Sequence, residues 1–125
     1  MFHVLYIYVG VPGITSADVA YIGNGVYSVD CTVSCSIARP QCVVFTSTHS
    51  KNGESLGNYN DNHSQILKIF SRNDYYQGDT GQSAVFMGNV SIYRLCLKSM
   101  QVQVIQDGEP VGRSVLLQVD FQGTA

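Results

Sequence analysis

The chain has 125 residues, enough for a single domain with one hydrophobic core. Charged residues make up 13% of it, about half the share in a typical soluble domain, and the formal net charge is −2. The seven basic residues are spread along the sequence instead of forming a basic stripe, which argues against nucleic-acid binding. No apolar run reaches the ~18–20 residues that a membrane span requires.

The amino-terminal residues allow two interpretations. An apolar stretch over residues 1–11, followed by small residues, resembles a secretory signal peptide cleaved after Ala17. The first residues contain no Lys or Arg, only His3, so a first β-strand from Phe2 to Val9 is the alternative. The predicted organisation is residues 1–17 as signal peptide or first strand, and residues 18–125 as one β-sandwich domain.

Alternation of apolar and polar residues predicts short β-strands along the chain. In the segment 27–35 one face carries Tyr27, Val29, Cys31, Val33 and Cys35, and the other carries Ser28, Asp30, Thr32 and Ser34. Further strands are predicted over residues 42–48 and 66–70, and over residues 84–87 together with 90–97. The last of these is one broken strand or two, and a short helix from Val90 to Met100 is an alternative. The polar stretches 50–64 and 71–83 are predicted to be loops or turns.

The carboxy-terminal part of the chain predicts a hairpin. Val102 and Val104 alternate with glutamines, Asp107-Gly108 supplies a turn, and alternation resumes over residues 115–121. Because Pro110 and Gly112 follow the turn, we expect a looped or bulged connection longer than two residues. We expect the following residues to be buried: Val104, Val115, Leu117 and Val119. The fold class is all-β: an antiparallel β-sandwich of about seven to nine short strands, immunoglobulin-like or jelly-roll-like.

Four cysteines predict two disulfides in an oxidising setting. Cys31 and Cys35 are four residues apart on one strand, ~13 Å at ~3.3 Å per residue, which is too far for a disulfide. Two pairings are then open: Cys31–Cys96 with Cys35–Cys42, or Cys35–Cys96 with Cys31–Cys42. We favour the first, because residues 36–41 form a natural reversal between adjacent strands. Four free, buried thiols in a cytosolic protein are the alternative, and the spacing is poorly suited to zinc.

The placement of two cysteines resembles that of an immunoglobulin-like domain. Cys31 faces the core on an early strand, and Cys96 follows later, preceded by Tyr93. Two further segments are similar in position to the last strands of that family: Asn89-Val90-Ser91 and the closing hairpin that ends at Val119. The resemblance covers about residues 18–121. The sequence departs from the family pattern because it lacks Trp, places Tyr93 three residues before Cys96 instead of two, and has no preceding Asp-x-Gly.

Candidate binding residues lie in the two polar loops. These loops combine tyrosine with amide or carboxylate groups, at Tyr59, Asn60, Asp74, Tyr75 and Tyr76. Tyrosine gives a large contact area at low entropic cost, and asparagine gives adaptable hydrogen bonding. The Asn-x-Ser triplets at Asn62 and Asn89 are potential glycosylation sites. No residue pattern indicates catalysis, a cofactor or a metal site, so the chain is not predicted to be an enzyme.

The predicted function is that of a recognition domain, secreted or on a cell surface. It binds a protein ligand or receptor, in host immunity or as a viral modulator of it. A carbohydrate-binding module, in which Tyr59, Tyr75 or Tyr76 stacks on sugar rings, is the first alternative. A structural or capsid-type β-domain is the second.

Overall fold

A computed structural model describes residues 4–8, 13–34, 37, 39–47, 57–62, 64–71, 75–77, 83–91 and 100–117, with backbone alone at 4–8, 75–77 and 83. Over these residues the chain forms nine β-strands. In chain order they are β1 (Val4–Tyr8), β2 (Ile14–Gly23), β3 (Val26–Ser34), β4 (Gln41–Ser47), β5 (Ser64–Phe70), β6 (Tyr75–Gln77), β7 (Ser83–Ser91), β8 (Met100–Gln106) and β9 (Glu109–Leu117).

The nine strands form two antiparallel sheets. One sheet has the order β1-β2-β3-β7-β6, and the other has the order β5-β4-β8-β9. The chain changes sheet three times, between β3 and β4, between β5 and β6, and between β7 and β8. One apolar cluster takes residues from both sheets, so the sheets pack face to face. The predicted antiparallel β-sandwich is confirmed.

The alternating pattern of β3 places one of its faces in the core. Tyr27, Val29, Cys31 and Val33 are completely buried, while the residues between them are partly exposed. This strand lies in the centre of the five-stranded sheet, between β2 and β7. Its inner face is therefore buried in the core from Tyr27 to Val33, as the alternation predicted.

Two hairpin turns have the left-handed backbone that their sequences favour. Asn24 and Gly25 join β2 to β3 with φ of 56° and 74°, and Asp107 and Gly108 join β8 to β9 with φ of 53° and 81°. Asparagine, aspartate and glycine tolerate these angles best. The predicted longer connection after Gln106 was wrong: Gln106 pairs directly with Glu109, so the turn has two residues. The hairpin is irregular, as the predicted bulge implies, but away from the turn: the register shifts between Val102 and Val104 of β8.

Pro110 is accommodated because β9 is an edge strand. It lies opposite Ile105 of β8, and β9 has no second neighbour in the strand order of the described residues. Proline cannot donate to a ladder hydrogen bond, and an edge position avoids that loss. In the same hairpin Val104, Val115 and Leu117 are buried as predicted, and Val119 lies outside the described residues.

Two strands lie in segments for which no strand was predicted. β2 was not predicted, and β6 lies within the stretch 71–83 that was predicted to be a loop. A segment of three residues is too short for its sequence alone to predict a strand. β6 forms because its backbone pairs with β7. The alternative helix from Val90 to Met100 falls largely on residues 92–99, outside the described residues.

A β-strand is present near the amino terminus. β1 pairs antiparallel with β2, and β2 runs continuously through Ala17, whose side chain is buried. Whether residues 1–17 are removed as a signal peptide stays a prediction. Among the residues that the structure describes, no helix has the length and hydropathy needed to cross a membrane.

The two sheets approach closely where two phenylalanine rings stack. Phe70 of β5 and Phe86 of β7 have ring centroids 6.4 Å apart and nearly parallel planes. Gly88 lies beside them: a Cβ at this position would be 2.5 Å from Cε1 of Phe70. The absence of a side chain at Gly88 therefore makes room for the aromatic pair.

Candidate functional site

The outer face of the four-stranded sheet, the face turned away from the other sheet, is covered by the chain itself. Val43 and Phe45 of β4 and Ile105 of β8 form a second apolar cluster there, with Tyr59 packed against it. At most 4% of the surface of each of these three residues is exposed. β4 and β8 are therefore buried on both faces, and the segment 57–62 between β4 and β5, here named the covering turn, contributes to that burial.

Gln103 of β8 attaches the covering turn to the sheet. Its Oε1 accepts a hydrogen bond from the backbone N–H of Tyr59 at 2.9 Å. Its Nε2 donates to Oδ1 of Asn58 at 2.8 Å and to the carbonyl oxygen of Gly112 at 3.0 Å. One fully buried amide therefore connects the covering turn, β8 and β9.

Ser114 of β9 makes a second attachment. Its Oγ lies 3.0 Å from the carbonyl oxygen of Gly57 and 3.1 Å from Oε1 of Gln101. A hydroxyl carries a single hydrogen, so Oγ donates to one of these oxygens at a time. Both Ser114 and Gln101 are buried, which makes this a polar contact shielded from water.

The covering turn is also held by hydrogen bonds within itself. Oδ2 of Asp61 accepts from the backbone N–H of Asn58 at 2.9 Å, and the N–H of Asp61 donates to the carbonyl oxygen of Asn58 at 3.1 Å. Oγ of Ser64 donates to the same carbonyl oxygen at 3.0 Å. Gly57 has a φ of 58°, and a side chain there would collide with the Asp61 carboxylate, so glycine is required.

Tyr59 has a structural role in this arrangement. Its ring packs on the outer-face cluster, and its hydroxyl donates to the carbonyl oxygen of Gly108 at 3.2 Å. The predicted binding residue Tyr59 is therefore half-buried and joins the covering turn to the β8–β9 turn. Asn60, Asp61 and Asn62 are exposed at the tip of the covering turn.

Two exposed isoleucines lie beside the covering turn on the edge strand β5. Ile66 is 44% exposed and Ile69 is 43% exposed. In the register of the sheet they lie opposite Phe45 and Val43, the two residues of the outer-face cluster on β4. An irregularity in the pairing between Val44 and Phe45 allows both isoleucines to lie on this face. We call Ile66 and Ile69 the isoleucine edge.

The structure separates the two predicted binding loops. Tyr59 and Asn60 lie over the four-stranded sheet, whereas Tyr75 and Tyr76 belong to β6 at an edge of the five-stranded sheet. Tyr75 pairs with Phe86 and Tyr76 with Val85 in the register. Asp74 and the side chains of both tyrosines lie outside the described residues.

Sequence reasoning missed the residues that organise the outer face. The glutamines of β8 alternate with valines, a pattern typical of a strand with one solvent-exposed face. Gln101 and Gln103 are instead completely buried. No local signal identifies them, because the partners of Gln103 lie as far as 45 residues away in the sequence. Ile66 and Ile69 fall within the predicted strand 66–70, and the sequence pattern indicates no role for them in binding.

Both potential glycosylation sites are sterically open. Asn62 is exposed in the covering turn, and Asn89 is exposed on β7. Asn89 lies beyond the part of β7 that pairs with β6, which ends at Phe86. Either side chain can therefore accept a glycan without disturbing the core. Glycosylation itself stays a prediction.

The structure brings Cys31 and Cys42 together. Sγ of Cys42 lies 2.7 Å from Sγ of Cys31, and both are buried free thiols. This contact matches the second of the two pairings that the sequence left open, and it conflicts with the favoured Cys31–Cys96 and Cys35–Cys42 pairs. The physical reason is that β3 and β4 lie in different sheets, so that Cys42 faces Cys31 across the core. Cys35 and Cys96 lie outside the described residues.

Titratable groups within the described residues form no cluster of three or more that could hold a metal ion.

The notable acidic pair is Asp18 of β2 and Asp30 of β3, which lie directly opposite each other in the register. Burial raises the pKa of Asp18, and the charge of Asp30 and a hydrogen bond with it raise it further. Burial also raises the pKa of Asp30, while its hydrogen bond with Asp18 acts in the opposite direction. The two carboxyl groups therefore share a proton more readily than isolated aspartates do.

This pair should make the fold less stable as the pH rises. Above pH ~4 the aspartates of the unfolded chain have lost protons that the folded pair still holds. The free energy of unfolding therefore falls as the pH rises from about 4 through the raised pKa values of the pair. Replacing Asp18 with asparagine should stabilise the protein at pH 7 by about 0.2–1 kcal/mol, because it removes the repulsion between opposite carboxylates. Urea unfolding between pH 4 and 7 measures both effects.

Asp107→Asn is the matched control, because Asp107 is exposed in the β8–β9 turn and asparagine also tolerates its positive φ. Because this variant keeps the Asp18–Asp30 pair, its free energy of unfolding should fall with rising pH as that of the wild type does. Equal pH dependence in the wild type and in Asp18→Asn would contradict the shared proton.

No protein-family model, curated protein or solved structure matches this chain. Function is therefore inferred from the geometry of its surface and not from relatives.

Proposed function

We propose that this chain is an immunoglobulin-like recognition domain, secreted or on a cell surface. It binds a protein partner through the isoleucine edge and the exposed tip of the covering turn. The observation that carries the proposal is the pair of half-exposed isoleucines beside a turn that the sheet holds rigidly. Exposed apolar groups next to a fixed polar rim are typical of protein-binding surfaces.

The order of the strands supports the resemblance to immunoglobulin domains. Those domains have strands A-B-E-D in one sheet and C-F-G in the other, with C′ beside C in the variable type. With β2, β3, β7 and β6 as A, B, E and D, and β5, β4, β8 and β9 as C′, C, F and G, the orders are the same. β1 is then an additional strand beside A.

Rigidity of the covering turn favours recognition over a purely connecting role. Its backbone is held by Gln103 and Ser114 from below and by Asp61 from within. A surface that is already ordered loses little conformational entropy on binding. The exposed acceptor residues Asn62 and Asn89 support an extracellular location.

Binding to a protein partner is tested with a panel of purified receptor ectodomains and surface plasmon resonance. Replacing Ile66 with lysine should weaken binding to the responding ectodomain about tenfold or more, because a charge would have to be buried at the contact. The melting temperature should change little, because the side chain is half-exposed on an edge strand.

Ile22→Lys is the matched control, since Ile22 is 50% exposed on β2 of the other sheet. It should bind as the wild type does. Equal loss of binding in both variants would contradict the proposed surface. Binding to a glycan array in the absence of any ectodomain signal would favour the carbohydrate-binding alternative instead.

A further inference from the structure

We propose that Cys31 and Cys42 form a disulfide that joins the two sheets, and that this bond closes while the chain is folding. The Sγ atoms are already 2.7 Å apart, with the thiol of Cys42 donating to Cys31. Formation of the bond rests on the oxidising setting that the proposed function implies. The pairing itself depends on the geometry of the core alone.

The two cysteines lie on interior strands of their sheets. Cys31 lies on β3, opposite Ala17 of β2 and Phe86 of β7. Cys42 lies on β4, opposite Phe70 of β5 and Val104 of β8. A bond between them would therefore connect the sheets through the middle of the core and not at its rim. The chain between them includes the first crossing from one sheet to the other.

Burial determines when the bond can form. Both side chains are 0% exposed, so a dissolved oxidant cannot reach them in the folded protein. Burial also raises the pKa of the Cys42 thiol well above its usual value, and the neighbouring Cys31 adds to the shift. The thiolate is the reactive form, so both effects make the folded dithiol inert. Oxidation must therefore precede the closing of the sheets.

The reaction requires a small disulfide, such as glutathione disulfide, as the oxidant. In the folding chain the Cys42 thiolate attacks one sulfur of that disulfide, which forms a mixed disulfide and releases one small thiolate. The Cys31 thiolate then attacks the sulfur of Cys42 and releases the second. The two cysteines lose two electrons and two protons, and the oxidant becomes two thiols.

The pairing is tested with the variant Cys35→Ser/Cys96→Ser, which retains only these two cysteines. It is unfolded, reduced and refolded in a buffer of reduced and oxidised glutathione. The intact mass should fall by two hydrogen atoms. The melting temperature should exceed that of the same variant refolded under reducing conditions by about 10 °C. Adding Cys31→Ala to this variant should abolish the mass change.

The timing is tested by adding the same oxidant to the variant after it has folded in the reduced state. Bond formation should then be at least about tenfold slower than during refolding. Equal rates in the two experiments would overturn the proposed timing.

The wild-type protein provides a test that does not require the serine variant to fold. After oxidative refolding, a protease that cleaves before large apolar residues separates Cys31, Cys35 and Cys42 at the bonds preceding Val33 and Ile37. A linked peptide pair containing Cys31 and Cys42 supports the proposal. Linkage of Cys31 to Cys96, or full retention of both thiols, overturns it. Neither result bears on the ectodomain binding, so the two proposals can fail separately.

Discussion

Replacing Leu117 with alanine should lower the free energy of unfolding by about 2–5 kcal/mol. Leu117 is 1% exposed and lies opposite Met100 in the β8–β9 ladder, within the cluster that both sheets share. The change removes buried apolar surface and leaves a cavity that the surrounding strands can fill only in part. Urea denaturation followed by circular dichroism measures the loss.

Leu116→Ala is the matched control, because Leu116 is the neighbouring residue on the opposite face of β9 and is only partly buried. Its substitution should cost clearly less. A cost for Leu117→Ala of under about half a kcal/mol, the usual range of surface substitutions, would show that the assigned register of β9 is wrong.

Replacing Gln103 with alanine should cost about 1–3 kcal/mol and should release the covering turn. The backbone N–H of Tyr59, Oδ1 of Asn58 and the carbonyl oxygen of Gly112 would all lose their common partner. Partly buried groups that lack a hydrogen bond are costly, because water reaches them poorly. Urea denaturation measures the stability, and amide hydrogen exchange at Tyr59 measures the release of the turn.

Two variants make this experiment specific. Gln103→Glu keeps an oxygen acceptor for Tyr59 but places a buried carboxylate against Oδ1 of Asn58 and the carbonyl oxygen of Gly112, so it should cost at least as much as Gln103→Ala. Gln65→Ala removes an exposed glutamine of β5 and should change the stability by no more than about 0.5 kcal/mol. Unchanged exchange at Tyr59 in Gln103→Ala would show that the apolar cluster alone holds the turn.

The sequence predicted the fold well where one face of a strand meets the core and the other is partly exposed. β3 has this environment, and its alternation from Tyr27 to Val33 matches the observed burial residue by residue. The turn at Asp107-Gly108 was also predicted correctly, because positive φ angles favour these residue types.

The sequence could not predict the candidate site, because distant segments determine it. Gln103 has the alternation of an exposed residue and becomes buried only when residues 57–62 fold over it. The contact of Cys31 with Cys42 has a similar cause. A short separation along the chain suggested a reversal between neighbouring strands, yet β3 and β4 belong to different sheets. Strand-to-sheet assignment depends on long-range pairing that local patterns do not encode.

Within the described part of the chain, β5 has a neighbouring strand on one side alone, which has a consequence for self-association. An edge strand with exposed apolar residues is a template for pairing with a second copy of the chain, and Ile66 and Ile69 provide such residues. Lys68 lies between them, exposed, with its Nζ 6.0 Å from the centre of the Phe70 ring. Its charge, together with the irregular pairing beside Val44, opposes the flat alignment that strand-to-strand aggregation requires. The strand therefore keeps two apolar side chains exposed, and Lys68 acts against pairing of this edge with a second copy of the domain.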